Sequence, residues 1–246
     1  MRAMNEMTPR VRVRRFIRQF HRWLGLLVGI QVLFWVLGGF VMSVLQLDAV
    51  RGERARAHSQ PVALDAGAVR VPLREVLADP RFTGATAATL HSWHGHTVYR
   101  IETPRGVSLV DAADGQLLSP LDEAAARVVA RADYAGTGGI AAVEWVEVAE
   151  GGAPEYRGRE LPLWRVRFDD ERETTLYVSP QSGEVVARRN DLWRAFDFVW
   201  MLHIMDFEER EDFNHPLLIA TAATALLFVF SGAGMLFFSF VRRRHA

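Results

Sequence analysis

Eight histidines and no cysteine set the chemistry this chain can draw on. Without thiols, disulfides, thiolate metal sites, Cys-ligated iron–sulfur clusters and cysteine nucleophiles are excluded. Neutral imidazole remains as a good iron ligand. His21 opens the row His21, Gly25, Gly29 at i, i+4, i+8, one face of a helix. Missing side chains there make room either for a flat macrocycle whose iron His21 would ligate, or for a second helix beside an interfacial His. His203 lies in "LWRAFDFVWMLHIMD", where Trp193, Phe196, Trp200 and His203 share one side of a helix. Such a stripe reads as a membrane-interface belt or as the setting of a ligand. His215 directly precedes Pro216 and an apolar run, which suits a cap or a second ligand at that end.

Other clusters are weaker. "LHSWHGHTVY" offers His91, His94 and His96, with His94 and His96 on one side of an extended strand, a divalent-metal pair if a third ligand were near; otherwise they are loop histidines. "EEREDF" reads as a solvated turn laced with ion pairs, or as Asp206, Glu209 and Asp212 gathered for a cation or a basic partner. Glu160 and Asp169–Asp170 have no spacing that supports hydrolysis. No G-x-S-x-G, H-E-x-x-H, P-loop or G-x-G-x-x-G is present, and "GTGGI" at 136–140 lacks the strand and helix context of a phosphate loop. No catalytic residue and no metal-ion site are assigned.

These residues are positioned by two uncharged runs, Trp23–Leu47 and Pro216–Val241. Roughly 20 apolar residues cross a bilayer core, so both can span it. The first is too long for the apolar region of a signal peptide, typically about 7–15 residues. Arg2, Arg10, Arg12, Arg14, Arg15 and Arg18 precede the first run; Arg242, Arg243 and Arg244 follow the second. The facing ends are mixed or acidic, with Asp48 and Arg51 at one and "DFEERED" at the other. The positive-inside rule then puts both termini in the cytoplasm and exports the loop. The 29 basic residues, every one Arg, balance 29 acidic ones, which argues against nucleic acid as a partner.

The expected divisions are a basic N-terminus (1–18), a transmembrane helix (19–47), an exported domain (48–191), an interfacial helix with its acidic turn (192–214), a second transmembrane helix (215–241) and a short tail (242–246). Within the domain, 48–70 reads as a linker, "VPLREVLADP" as a short helix and "LDEAAARVVARADY" as a helix begun by Asp122 and Glu123. "YRIETPRGVSLVDAADGQLL" repeats as "WRVRFDDERETTLYVSPQSGEVV": an aromatic–Arg–aliphatic strand, a polar turn, an aliphatic strand, a glycine turn and an aliphatic pair. Two helix-plus-hairpin repeats give an α+β class rather than a doubly wound sheet.

"YVSPQSGEVV", "HRWLGLLVGIQVLFWVLGGFVMS" and "FDFVWMLHIMDFEEREDFNHPLL" together resemble the PepSY-associated transmembrane family, over most of the chain. The resemblance implies a bacterial inner-membrane protein with membrane lipid around it and a PepSY-like periplasmic domain. Larger members, with more membrane helices, include haem-containing ferric-siderophore reductases; this chain has one helix pair. It further implies haem b ligated by His21 and His203, with His215 a further candidate, electron transfer outward to a ferric-siderophore substrate, and a homodimer or a partner membrane protein completing the bundle. At 1.5 Å per residue, a span of about 25 residues puts His21 on the order of 35 Å from the exported side, so His21 and His203 cannot share one iron. The alternative is a non-catalytic anchored module that binds, senses or restrains a periplasmic partner, since PepSY domains resemble the propeptide region of some metallopeptidases.

Overall fold

The computed structural model describes residues 9–57, 62–151 and 153–243; Arg2 and Arg244 of the charge pattern lie outside them. Helices are α1 (Pro9–Val44), α2 (Leu47–Val50), α3 (Leu73–Val76), α4 (Glu123–Asp133), α5 (Asp191–Ile204) and α6 (Pro216–Arg243). Strands are β1 (Ala87–Trp93), β2 (His96–Thr103), β3 (Gly106–Asp111), β4 (Ile140–Val146), β5 (Leu163–Phe168), β6 (Thr175–Val178) and β7 (Val185–Arg189). The class is therefore mixed α+β. The chain forms two compact units, one from the segment up to Leu45 together with that from Phe196 onward, the other Gln46–Ala195.

In the helical unit, Arg12–Val44 and Pro216–Phe240 are long and apolar enough to cross a membrane. Their large side chains point outward: Trp23, Leu26, Leu27, Phe40, Val229, Phe230 and Phe237 are all more than half exposed. A soluble helix pair would lose stability by leaving that surface in water; a bilayer solvates it. The two helices run antiparallel. As α1 advances through Ile17, His21 and Gly25, its neighbours on α6 retreat through Gly234, Gly232 and Phe228. Small residues at these crossings let the backbones approach, which is how helices associate in lipid.

The second unit holds two antiparallel sheets, β1-β2-β3 and β4-β5-β6-β7. Helix α4 starts at Asp122, whose carboxylate accepts the Ala125 amide at 2.8 Å. Its inner stripe of Val129, Ala130 and the following Tyr134 packs on Val166, Phe168, Leu176 and Val178 of the second sheet. The opposite face of that sheet is covered too, with Tyr156 against Leu163, Tyr177 and Ala187. Burial on both faces explains why β6 is buried at every position rather than alternating. The first sheet buries Tyr99, Ile101 and Val110 against Val76 and Phe82.

The internal repeat is visible in two turns with one hydrogen-bond pattern. Gly115 N–H donates to Asp111 C=O and Asp111 N–H to Gln116 C=O, each at 2.9 Å. Gly183 N–H donates to Ser179 C=O and Ser179 N–H to Glu184 C=O, also at 2.9 Å. Both glycines sit in the left-handed region, at φ 74° and 65°. The helices preceding the two sheets differ, a single turn in α3 against 11 residues in α4. Residues 48–57 correct the linker expectation. Val50 and Ala49 are buried, Arg56 bridges to Tyr134, and buried Asn190 donates to Ala49 C=O while its side-chain oxygen caps α5 at the Trp193 amide.

The two repeat glycines differ in what surrounds them. A Cβ on Gly183 would meet Trp93 Nε1 at 2.7 Å and Leu109 Cδ1 at 2.9 Å, whereas one on Gly115 would meet only Val71 at 3.6 Å. Gly115→Ala is expected to cost about 1–2 kcal/mol of backbone strain, and Gly183→Ala roughly 2–5 kcal/mol because overpacking adds to the same strain. Thermal melts of the two full-length variants measure the difference; equal losses would mean the Trp93 contact does not constrain the turn.

Candidate functional site

His21 lies in the α1–α6 seam. Its ring stacks on Phe228 with centroids 4.2 Å apart and planes 9° off parallel. Nδ1 is 2.8 Å from Ser231 Oγ and 3.2 Å from the Phe228 carbonyl. That carbonyl can only accept, and it already takes the Ser231 hydroxyl proton at 2.7 Å. Nδ1 must therefore carry the imidazole proton, which leaves the lone pair on Nε2. Beside it, the space opened by Gly25 is filled by Phe228, 3.0 Å from where a Cβ would stand, while Gly29 has nothing within 4 Å. Of the two readings of these glycines, helix contact holds at Gly25, and the open position is Gly29, one turn further on.

His203 is the penultimate residue of α5, whose last carbonyls have no partner within the helix. Two side chains of α1 one turn apart supply them. Gln31 Nε2 donates to Leu202 C=O at 3.0 Å and Trp35 Nε1 to His203 C=O at 2.7 Å. Gly38 and Gly39 complete this contact: a Cβ on Gly38 would lie 3.3 Å from Val199 Cγ1 and 3.5 Å from His203 Nδ1. That Nδ1 is buried and makes no hydrogen bond. The contacts at positions 21 and 38 of α1 are about 26 Å apart along the helix at 1.5 Å per residue. The sequence signals for this contact are the pair "GG" at 38–39 and Gln31 in the middle of an apolar run.

His215 caps α6. Its Nδ1 accepts the Leu217 amide at 3.3 Å, and its carbonyl accepts the Ile219 amide at 3.1 Å. The acidic turn before it is built around one carboxylate. Asp206 Oδ1 accepts the Glu208 and Glu209 amides at 3.2 and 3.1 Å, and Oδ2 those of Glu211 and Asp212 at 3.0 and 3.1 Å. Burial works to raise the Asp206 pKa, but the four amides prevail and hold it at about 2. Arg210 pairs with buried Asp197, and Trp200 Nε1 donates to Arg210 C=O at 3.1 Å. With its lone pairs taken by the backbone, Asp206 is not free to join Glu209 and Asp212 around a cation.

In the sheet unit, the histidine trio is separated by a tight turn. Trp93 and His96 pair across a two-residue loop in which His94 and Gly95 both have positive φ, 44° and 88°. His94 and His96 therefore do not share a strand face, contrary to the expected pair. His96 Nδ1 instead contacts Asp111 Oδ2 at 2.8 Å. His91 and His94 line a groove of about 940 Å³ with Trp93, Val129, Glu184 and Arg188. Burial holds both imidazoles below their usual pKa; Glu184 opposes this at His91 and Arg100 adds to it, while His96 adds to it at His94. No cluster of three or more His, Cys, Asp or Glu suited to a metal ion occurs among the described residues. Asp170 accepts the Tyr134 hydroxyl, the Thr174 hydroxyl and the Thr174 amide, so it serves the fold.

The chain matches none of the family models, curated proteins or solved structures with which it was compared. What it can do rests on its own geometry.

The Asp206 turn has a pH signature. A carboxylate with a depressed folded-state pKa contributes its full stability above the unfolded value near 4. That contribution is lost as pH falls from about 4 towards 2. Amide exchange at Glu208, Glu209, Glu211 and Asp212, corrected for intrinsic rates, should accelerate over that window. Asp206→Ala should remove the protection at all pH values and cost roughly 2 kcal/mol. Protection that survives Asp206→Ala would assign the turn's order to Arg210–Asp197 instead.

Proposed function

We propose that this is an inner-membrane protein of PepSY type that holds haem b at His21 and at His203. It passes electrons outward to periplasmic ferric complexes of the siderophore class. In this reading α1 and α6 cross the bilayer with both termini cytoplasmic, and the unit Gln46–Ala195 is periplasmic. The arginine clusters and the antiparallel helix pair support that orientation.

The observation that carries the reading is the state of the two seam imidazoles. A haem-ligating His characteristically donates its other ring N–H to a fixed acceptor, which sets ring orientation and raises basicity. His21 meets that requirement, with Nδ1–H held by Ser231 and the Phe228 carbonyl, and Nε2 making no hydrogen bond among the described residues. His203 offers a buried ring nitrogen with no partner, against glycines rather than side chains. The donor chemistry fits at His21; at His203 no acceptor holds the buried Nδ1, so that imidazole offers a donor without the outer hydrogen bond. Haem would supply a reversible one-electron couple at each. A second donor for each haem would have to come from another subunit, because the cap that makes His215 Nδ1 an acceptor leaves the ring proton on its other nitrogen, and so a homodimer or a partner membrane protein belongs to the proposal. The separation of about 26 Å along α1 is comparable to a bilayer core of roughly 30 Å, the distance a transmembrane electron path has to bridge.

The groove beside β1 favours a second reading, an anchored module that binds a periplasmic partner without redox chemistry. The two are separated by the absorption spectrum of the full chain purified in detergent from haem-replete cells. The redox reading expects a Soret band and a b-type pyridine haemochrome. His21→Ala and His203→Ala should each remove part of the haem. Ser231→Ala should weaken only the site at His21, by about tenfold, since it removes an outer-shell partner. A colourless protein would overturn the redox reading and leave the binding module.

A further inference from the structure

We propose that the free edge of β1 is a docking site for an extended peptide carrying a basic side chain, which would add a fourth strand to the first sheet. The parity of the ladder sets which groups are on offer. Trp93 and His96 flank a two-residue loop and so form a hydrogen-bonded pair; the pairs His91–Val98 and Thr89–Arg100 follow at every second step. The amides and carbonyls of Ala88, Leu90 and Ser92 therefore point away from β2. Among the described residues nothing pairs with that side, because β1 is the end strand of its sheet. The Ala112 amide bonded to the Thr97 carbonyl confirms the phase, since odd residues of β2 face β3.

This edge opens into a cavity instead of being covered. Leu90 and Ser92 line the groove of about 940 Å³, whose other walls are Val129 of α4, Val62, Leu64 and Val185. One end is closed by Trp93, whose indole N–H donates to Gly183 C=O at 3.1 Å. From Ala88 to Ser92 the edge runs about 13 Å at roughly 3.3 Å per residue, the length of a five-residue strand. Only a peptide backbone presents donors and acceptors at the two-residue repeat that this edge offers, and alternate side chains would enter the apolar walls.

Charge selects among peptides. Asp133 is paired with Arg188 and Arg56 with Glu53. Among the described residues Glu184 is exposed and has no ion-pair partner, which leaves a carboxylate on the groove wall close enough to His91 to raise its proton affinity. An Arg or Lys on the incoming strand would meet it. The site does not involve His21 or His203 and stands whether or not the protein holds haem.

The test uses the full chain in lipid nanodiscs and phage-displayed random linear heptapeptides. Selection should enrich alternating apolar and polar sequences with an Arg or Lys in register. Synthetic copies should lose at least tenfold in affinity with Ser92→Pro, which removes an outward amide and no bond of the β1–β2 ladder, and severalfold with Glu184→Gln. N-methylation of the peptide, read on the unaltered protein, should abolish binding at alternate residues only. No enrichment over the Ser92→Pro chain, or N-methyl effects without alternation, would overturn strand addition; enrichment of acidic peptides would overturn the charge assignment. Peptide binding should be the same whether or not the purified chain shows a Soret band, so its outcome is independent of the haem test.

Discussion

Two helices in a bilayer gain nothing from the hydrophobic effect by touching one another, because lipid solvates their apolar faces equally well. Their association has to rest on close approach and on polar groups that find no other partner. In this chain both are concentrated at a few positions of one helix. Gly25, Gly38 and Gly39 bring α1 against Phe228, Val199 and His203. His21, Gln31 and Trp35 supply the hydrogen bonds, to Ser231 and the Phe228 carbonyl at one end and to the terminal carbonyls of α5 at the other. The placement of both seam histidines follows from this constraint. An imidazole within a lipid-facing helix pair is tolerated where it crosses a glycine or meets a carbonyl.

The sheet unit is held differently. Its stability comes from α4 laid across one face of the second sheet and Tyr156 across the other. The two glycine turns give the same reversal after β3 and after β6. Trp93 joins the first repeat to the second through Gly183, and that bond is available only because Gly183 has no side chain. Among the described residues the outer edge of β1 is unpaired, and β4 and β7 are likewise end strands of the second sheet. Natural sheets blunt such edges with charge, proline or a covering loop. Here Ala88, Leu90 and Ser92 bring neither charge nor proline, and Leu90 and Ser92 line the groove.

Much of this was legible in the chain before any coordinates. The apolar runs, the helix begun at Asp122, the turns at "TPRG" and "ADGQ" and the repeated strand pairs all follow from local pattern, because each is a property of neighbouring residues. Three things were not. Strand β1 reads "AATLHSW", with three histidines at and after its end, and its pairing partner rather than its propensity makes it a strand. The segment 48–57 has linker composition, yet the pairing of Arg56 with Tyr134 and the Asn190 clasp draw it in. Asp206 was one acid among several in "DFEERED". Only the folded turn shows that its two oxygens take four amides while Glu208, Glu209, Glu211 and Asp212 remain exposed. Each miss is a long-range or backbone-mediated contact, which sequence spacing does not encode.

The two seam histidines also differ in how well their surroundings close. His21 is locally complete: its proton has two acceptors, its ring has a stacked neighbour, and only Nε2 is unassigned. His203 is not. A buried ring nitrogen without a partner costs about 1–3 kcal/mol, and the residues that crowd it, Gly38 and Val199, have no group that could satisfy it. A serine at position 38 could not supply a hydroxyl there without strain, because its Cβ alone would stand 3.3 Å from Val199 Cγ1 and 3.5 Å from the ring nitrogen. Glycine is what the close approach of α1 to α5 demands, and the uncommitted nitrogen of His203 is a consequence of that packing.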